Sequence, residues 1–286
     1  MRSIIVIAGP TASGKSGIAI DLAKRINGVI INADSRQIYK ELSIGTAKPS
    51  ESEMQNIPHY LYGYVSITEE YNIHKYQRDV LELIKTIPDD KQIILVGGTG
   101  LYIDSVIFGY DLDSESNNSK QQRTYLISQT LEELQSKISP EVLGMLNESD
   151  RSNPRRLIRI IEKDGIVSTR NTTPVFPCKY FVVDFPKEIL EKNVMQRVEE
   201  MFKQGLEMEA RDAFEKGYYQ YPALQSIGYQ EFLPYFEKAP QYTLKEVKGA
   251  IVRNTMRYIK RQKTWFRRNP NAIWVTSLEQ ILSHNL

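Results

Sequence analysis

Ile4-Ile5-Val6-Ile7-Ala8 runs straight into Gly9-Pro10-Thr11-Ala12-Ser13-Gly14-Lys15-Ser16, and a helical pattern follows from Ile18 to Ile26. An apolar strand, a G-x-x-x-x-G-K-S loop and a helix, in that order, are the setting a phosphate-binding loop requires. The glycines let the backbone curl until several N–H groups point into one hollow. The helix start adds free N–H groups and partial positive charge. Lys15 supplies a mobile cation for phosphate oxygens, and the Ser16 hydroxyl suits Mg2+. The reading is a polyphosphate site with Mg2+ as its metal. Which polyphosphate, and what happens to it, has to come from the rest of the chain.

Outward from this loop, strands and helices alternate. Strands are expected at 3–8, 28–32 and 92–96 and helices at 15–26 and 73–87. That order implies an α/β fold, a parallel sheet with helices on both faces. Between them Asp34 to Tyr71 is irregular and dense in Gly, Pro and Tyr, and a segment that long without structure is usually functional. Near Tyr110 the character changes. Residues 111–120 are polar and aperiodic, a linker, and helical patterns follow at about 120–137, 140–147 and 154–163. Tyr180-Phe181-Val182-Val183 returns as a buried strand, 187–268 is largely helical, and Trp274-Val275 reads as a last strand before a helix at 277–283. The expected division is a core of 1–108, a small helical insertion of 109–178, and a completion of the core in 179–286.

The chain has 286 residues, 41% of them hydrophobic, enough for one large domain or a core carrying an insertion. Net charge is only +2, yet residues 245–268 hold nine Lys and Arg against one acid, a net +8 that leaves −6 on the rest. A basic block on a near-neutral chain points to a polyanionic partner. The single cysteine, Cys178, excludes an internal disulfide and fits a reducing cytosol. The chain opens on its first core strand, so no leader is expected, and no apolar run approaches the roughly 18–20 residues that span a membrane. His59, His74 and His284 share no metal-ligand spacing.

Val29-Ile30-Ile31-Asn32-Ala33-Asp34 is a strand ending in a carboxylate. Ligands of open α/β sheets sit outside the carboxyl ends of the strands, which puts Asp34 beside the phosphate loop. Asp34 could serve as a Mg2+ ligand, a general base or a helix N-cap. The strand 93–96 ends in Gly97-Gly98-Thr99-Gly100, a hydroxyl where nucleotide hydrolases usually carry a Mg2+-holding Asp. This weighs against ATP or GTP hydrolysis. Asn153-Pro154-Arg155-Arg156-Leu157-Ile158-Arg159 opens a helix with Arg155 and Arg159 on one face, either a binding surface or a solvated basic face. Lys260-Arg261-Gln262-Lys263-Thr264-Trp265-Phe266-Arg267 mixes cations, an amide and aromatics, the blend suited to phosphate contacts and base stacking in a nucleic acid.

Together the blocks G-P-T-A-S-G-K-S (9–16), A-D-S-R-Q-I-Y (33–39), I-G-T-A-K-P (44–49), P-H (58–59), V-G-G-T-G-L-Y (96–102), N-P-R-R-L-I-R (153–159), I-G-Y (227–229) and K-R-Q-K-T-W-F-R (260–267) occur in order over nearly the whole chain. In this the sequence closely resembles the bacterial tRNA dimethylallyltransferases, the tRNA isopentenyltransferase family. The resemblance implies a P-loop nucleotide-kinase-like core with a helical insertion that grips the anticodon stem-loop. It implies transfer of a dimethylallyl group from dimethylallyl diphosphate to the exocyclic amine of adenosine 37, in tRNAs that read codons beginning with U.

It also implies roles. Asp34 would take the proton of the amine and Thr99 would hydrogen-bond the substrates opposite it. Gly9, Pro10, Thr11, Ala12, Ser13, Gly14, Lys15, Ser16 and Arg197 would hold the diphosphate with Mg2+. Ser35, Arg36 and Gln37 would touch the flipped base and its neighbours. Arg123 and residues 155–159 (Arg155, Arg156, Leu157, Ile158, Arg159) would contact the tRNA. So would Lys260, Arg261, Gln262, Lys263, Thr264, Trp265, Phe266 and Arg267. Met201 stands where the family often has a second arginine, and no Cys/His pattern closes the chain as in eukaryotic members. A cytoplasmic monomer without membrane contact is expected.

Overall fold

The computed structural model describes residues 2–112, 120–167, 171–237 and 242–285. Six strands form one parallel sheet: β1 (Ile4–Ala8), β2 (Gly28–Asn32), β3 (His59–Tyr60), β4 (Gln92–Gly97), β5 (Cys178–Val183) and β6 (Ile273–Val275), in the order β3-β2-β4-β1-β5-β6. β1 lies at the centre with Ala8 opposite both Gly97 and Val182, so the phosphate loop leaves the sheet between two neighbouring strand ends. Every residue of β1 and β2 is buried. Strands covered on both faces cannot alternate apolar with polar, hence the unbroken Ile/Val runs. On one face Ile5, Ile7, Ile94 and Phe181 pack with Ala19 and Leu22 of the helix Lys15–Arg25 and with Ile281. A second cluster joins the helices Lys187–Lys203, Leu206–Glu215 and Leu244–Phe266 around Val198, Leu206, Tyr229, Phe232 and Ile251.

The chain divides into two compact units, Met1–Gly109 with Thr172–Leu286, and Tyr110–Asn171. The return to the core starts before the expected residue 179. Val175 N–H bonds Ile107 O, and Ile4 N–H bonds Pro177 O, which ties the incoming segment to the sheet before β5 begins. In the second unit the single helix expected over 120–137 is two, Lys120–Ile127 and Leu131–Ser136. Thr130 caps the second, its hydroxyl accepting the Glu133 N–H while the Glu133 carboxylate accepts the Thr130 N–H. The stretch expected to be irregular, 34–71, does hold two short elements, the helix Glu51–Met54 and β3, which extends the sheet edge beside β2.

Two glycines, one at a helix start and one at a strand end, have structural reasons. Gly14 has φ 77°, a left-handed backbone that turns the loop into its helix, and no side chain caps that helix. A Cβ on Gly97 would lie 2.1 Å from Ala33 O, so only glycine lets β4 and the start of the Asp34 turn approach this closely.

Candidate active site

The uncapped start of the helix Lys15–Arg25 leaves its first N–H groups facing the loop. Lys15 folds over that loop and donates to Pro10 O at 3.3 Å. Burial drives its pKa down to about 8, Asp34 pulling it up and Arg197 pushing it down. Arg197 comes from the helix Lys187–Lys203. It donates to Thr11 Oγ1 at 3.1 Å and to Thr46 O at 3.4 Å, and burial lowers its pKa against the pull of Asp34. Asn193, one turn earlier, donates to Ala12 O at 3.0 Å. Two cations from distant parts of the chain thus meet over one loop.

Asp34 lies two residues past β2 and leads into a turn rather than a helix, so the helix-cap alternative falls. Its Oδ1 accepts the Arg36 N–H at 2.9 Å, and its own N–H bonds Asn32 Oδ1 at 2.8 Å. Asn32 is in turn fixed by Tyr76, whose phenol donates to Asn32 O at 2.8 Å. Thr99 leaves its own helix uncapped. Its Oγ1 accepts the Ser35 N–H at 3.0 Å and lies 3.2 Å from Ser35 Oγ, binding the β4 loop to the Asp34 turn. Burial together with the nearby Asp34 pushes the Tyr258 phenol up to about 12, with Thr99 beside it drawing it down.

Two adjoining cavities follow. A small one of about 50 Å³ is lined by Thr11, Lys15, Ser16, Asp34, Gln37, Tyr62 and Arg197 among others. A larger one of about 470 Å³ has Asp34, Ser35, Arg36, Arg197, Tyr258 and Arg261 on its polar side and Val194, Val198, Met201, Ile227 and Ile251 on its apolar side. Thr11, Asp34 and Arg197 border both. A phosphate-sized polar hollow and a half-apolar chamber thus share one carboxylate in their walls. That is the arrangement for a substrate with an anionic head and an apolar tail.

The basic stretch divides. On the helix Leu244–Phe266, Arg253, Arg257, Lys260, Arg261 and Thr264 are exposed, as is Arg267 just beyond it. Four residues expected to face nucleic acid turn inward. Phe266 lies in the core. Trp265 donates from its indole N–H to Asp104 at 2.7 Å and packs where a Cβ on Gly100 would stand 2.1 Å away, so it supports the Thr99 loop. Lys263 pairs with Asp184 at 2.8 Å. Gln262 is buried, its Oε1 accepting the Thr11 N–H at 3.0 Å and its Nε2 donating to Gly98 O at 2.9 Å. In the second unit Leu157 and Ile158 are core residues, which corrects their expected contact with a partner. Arg123 bonds the buried Glu162 at 2.6 and 2.8 Å, Arg159 approaches the same carboxylate, Arg156 pairs with Asp150, and Arg155 is exposed.

Tyr62, Tyr258, Asn193 and Glu209 went unread in the sequence. Glu209 accepts the N–H groups of Ser43, Ile44 and Gly45, each at 3.0 Å, and the Tyr229 hydroxyl at 2.6 Å. It clamps the loop whose Thr46 carbonyl receives Gln37 and Arg197. Glu209→Ala strands these donors, so we expect a loss of about 2–4 kcal/mol in denaturant unfolding. The Michaelis constant for a diphosphate substrate should rise with it, as Arg197 loosens.

The IPP transferase family model matches residues 37–269. A tRNA dimethylallyltransferase of Gloeothece citriformis is 38% identical over 276 residues, 95% of this chain and 90% of that one. One from Enterococcus faecalis is 35% identical over 98% of this chain and 93% of its own. The crystal structure of a Bacillus halodurans tRNA isopentenylpyrophosphate transferase superposes with TM-score 0.76 at 30% identity, covering 99% and 95% of the two chains. A eukaryotic dimethylallyltransferase acting on tRNA gives 0.81 at 25% identity over 100% of this chain and 76% of that one. A phosphate loop, a carboxylate beside it and a two-part cavity, on a fold and sequence shared with these relatives over most of the chain, lead to one conclusion: the chain belongs to the IPP transferase family.

Proposed function

We propose that this enzyme, a prenyltransferase, moves a dimethylallyl group from dimethylallyl diphosphate to the exocyclic amine of adenosine 37, next to the anticodon, in tRNAs reading codons that begin with U. The carrying observation is Asp34, standing between the small polar cavity and the half-apolar chamber. The diphosphate takes the loop Gly9–Ser16 with Lys15 and Arg197. The allyl tail and the flipped base meet in the chamber beside Ser35 and Arg36, with Thr99 behind Ser35 through its hydroxyl. A base modified at an amine inside a stack has to be extruded.

In the reaction the allylic C1–O bond breaks, the amine forms a bond to C1, and diphosphate leaves carrying the former bonding pair. One amine proton passes to the Asp34 carboxylate. The lone pair of an adenine amine is delocalised into the ring, so a base removing the proton as the bond forms is worth about 10²–10⁴-fold. The protein's donors fit Mg2+. Ser16 and Asp34 share the small cavity, and Ser13 Oγ is buried without a partner. Among the described residues no group of three His, Cys, Asp or Glu could hold a metal. That suits an ion bound by one or two protein oxygens plus phosphates and water. Such an ion would neutralise charge on the departing diphosphate.

The exposed cations Arg253, Arg257, Lys260, Arg261 and Arg267 are assigned to the tRNA backbone, with Arg155, Arg156, Arg159 and Arg123 of the second unit. Every assigned residue comes from one chain, so a monomer suffices, and a tRNA substrate puts the reaction in the cytoplasm. Among the described residues no helix is long and apolar enough to cross a membrane.

The test mixes protein, Mg2+, labelled dimethylallyl diphosphate and an anticodon stem-loop. Label in the RNA supports the reading; ATP turnover with a phosphorylated small molecule would replace it. Stem-loop affinity should fall steeply with salt, log Kd rising by about 0.7–0.9 per decade of salt for each phosphate contacted. A salt-insensitive Kd would remove the basic helix face from the interface.

A further inference from the structure

We propose that Gln262 is a positioning residue for the transfer step, holding the diphosphate loop and the Thr99 loop at a fixed separation through the two ends of one amide. This rests on the transferase reading and deepens it. Gln262 sits on the helix Leu244–Phe266 with exposed Lys260 and Arg261 just before it, yet is itself buried. It accepts the Thr11 N–H at 3.0 Å and donates to Gly98 O at 2.9 Å. Those two groups belong to the loops that leave the neighbouring strands β1 and β4, paired at Ala8 and Gly97. Sheet hydrogen bonds fix the strand ends but stop there; beyond them the amide is a direct link between the loops.

Each loop carries part of the chemistry. Thr11 borders both cavities and accepts Arg197 at 3.1 Å. Gly98 precedes Thr99, which holds Ser35 beside Asp34. A Cβ on Gly98 would stand 2.4 Å from Gln262 Nε2 and 3.7 Å from Asp34 Oδ2, so the amide lies within a side chain's reach of the proposed base. Because the Thr11 N–H is committed to Gln262, this residue sets where the diphosphate loop lies and is not itself a diphosphate ligand.

Among side chains of this length and forked shape, an amide or a protonated carboxyl accepts from one loop and donates to the other. A plain stabilising role would make the same bonds, so the test needs a readout that stability does not move. Two further contacts keep the helix seated if Gln262 changes, Lys263 to Asp184 and Trp265 to Asp104. Gln262→Met matches the length and removes both bonds. Gln262→Glu keeps the acceptor and regains the donor only when its carboxyl is protonated.

Single-turnover transfer at saturating substrates is measured for the native protein and both variants, with direct binding of dimethylallyl diphosphate and stem-loop. In Gln262→Met the rate should fall about 10–100-fold, since misplacement near 1 Å costs about that much, while both affinities hold nearly constant. In Gln262→Glu the rate should fall as pH rises through the buried carboxyl's titration, over a range where the native rate is flat. Should Gln262→Met fail to fold, the pH profile of Gln262→Glu decides alone. Native-like rates in a folded Gln262→Met, or a native pH profile in Gln262→Glu, would overturn the proposal. No transfer by the native protein would overturn both this and the transferase reading.

Discussion

Asp34→Asn should lower the single-turnover transfer rate by about 10²–10⁴-fold and leave anticodon stem-loop affinity nearly unchanged. The substitution is local by construction. An asparagine oxygen can still accept the Arg36 N–H, and the backbone at this position is held by Asn32. What is lost is the capacity to take a proton from an amine that is otherwise a poor nucleophile. Asp34 also borders both cavities and raises the pKa of Lys15 and Arg197, so the variant further weakens the cationic form of the diphosphate site. Direct binding of the donor separates that effect from the chemical one. Turnover equal to the native protein would remove Asp34 as the base.

Lys15→Met should cut kcat/KM by about 10²–10³-fold, the usual loss when a preorganised donor to a developing anion is removed. The native protein should report the same residue through pH. Burial holds Lys15 to about pKa 8 before the donor binds. Its protonated form is the one that attracts diphosphate. Donor affinity should therefore be level below pH 8 and weaken above it, by up to about tenfold per pH unit. In Lys15→Met that upper limb should vanish. A native donor affinity flat from pH 7 to 10 would mean Lys15 is not the cation that meets the diphosphate.

What the sequence made legible was local in origin. Ile4–Ser16 announces strand, loop and helix because the apolar run, the two glycines and the lysine are contiguous, and the structure has them as β1, loop and the helix from Lys15. Asp34 was placed by the rule that strand ends carry ligands, and the structure adds what the rule cannot give, the Asn32 and Arg36 bonds that aim it. The basic helix is less uniform than its sequence. Val247, Ile251, Ile259, Gln262 and Phe266 form its buried stripe at helical spacing, and an amide on an otherwise apolar stripe was the available sign that Gln262 faces inward. In the sequence Trp265 reads as a stacking surface because its partner, Asp104, lies 161 residues earlier in the chain. The break between Ile127 and Leu131 was also legible, as Thr130 and Glu133 form a capping box. Arg197 and Glu209 were beyond local reading, since their roles depend on loops some 150–190 positions away.

In the proposed transfer one site holds an allylic diphosphate on the loop Gly9–Ser16 while a neighbouring carboxylate faces the acceptor amine. A crystal structure with an unreactive sulfur analogue of dimethylallyl diphosphate, Mg2+ and the stem-loop tests it most directly. The diphosphate should lie against Lys15 and Arg197, with the adenosine amine about 2.6–3.2 Å from an Asp34 oxygen. A diphosphate bound elsewhere, or Asp34 turned from the amine with another base in reach, would contradict it.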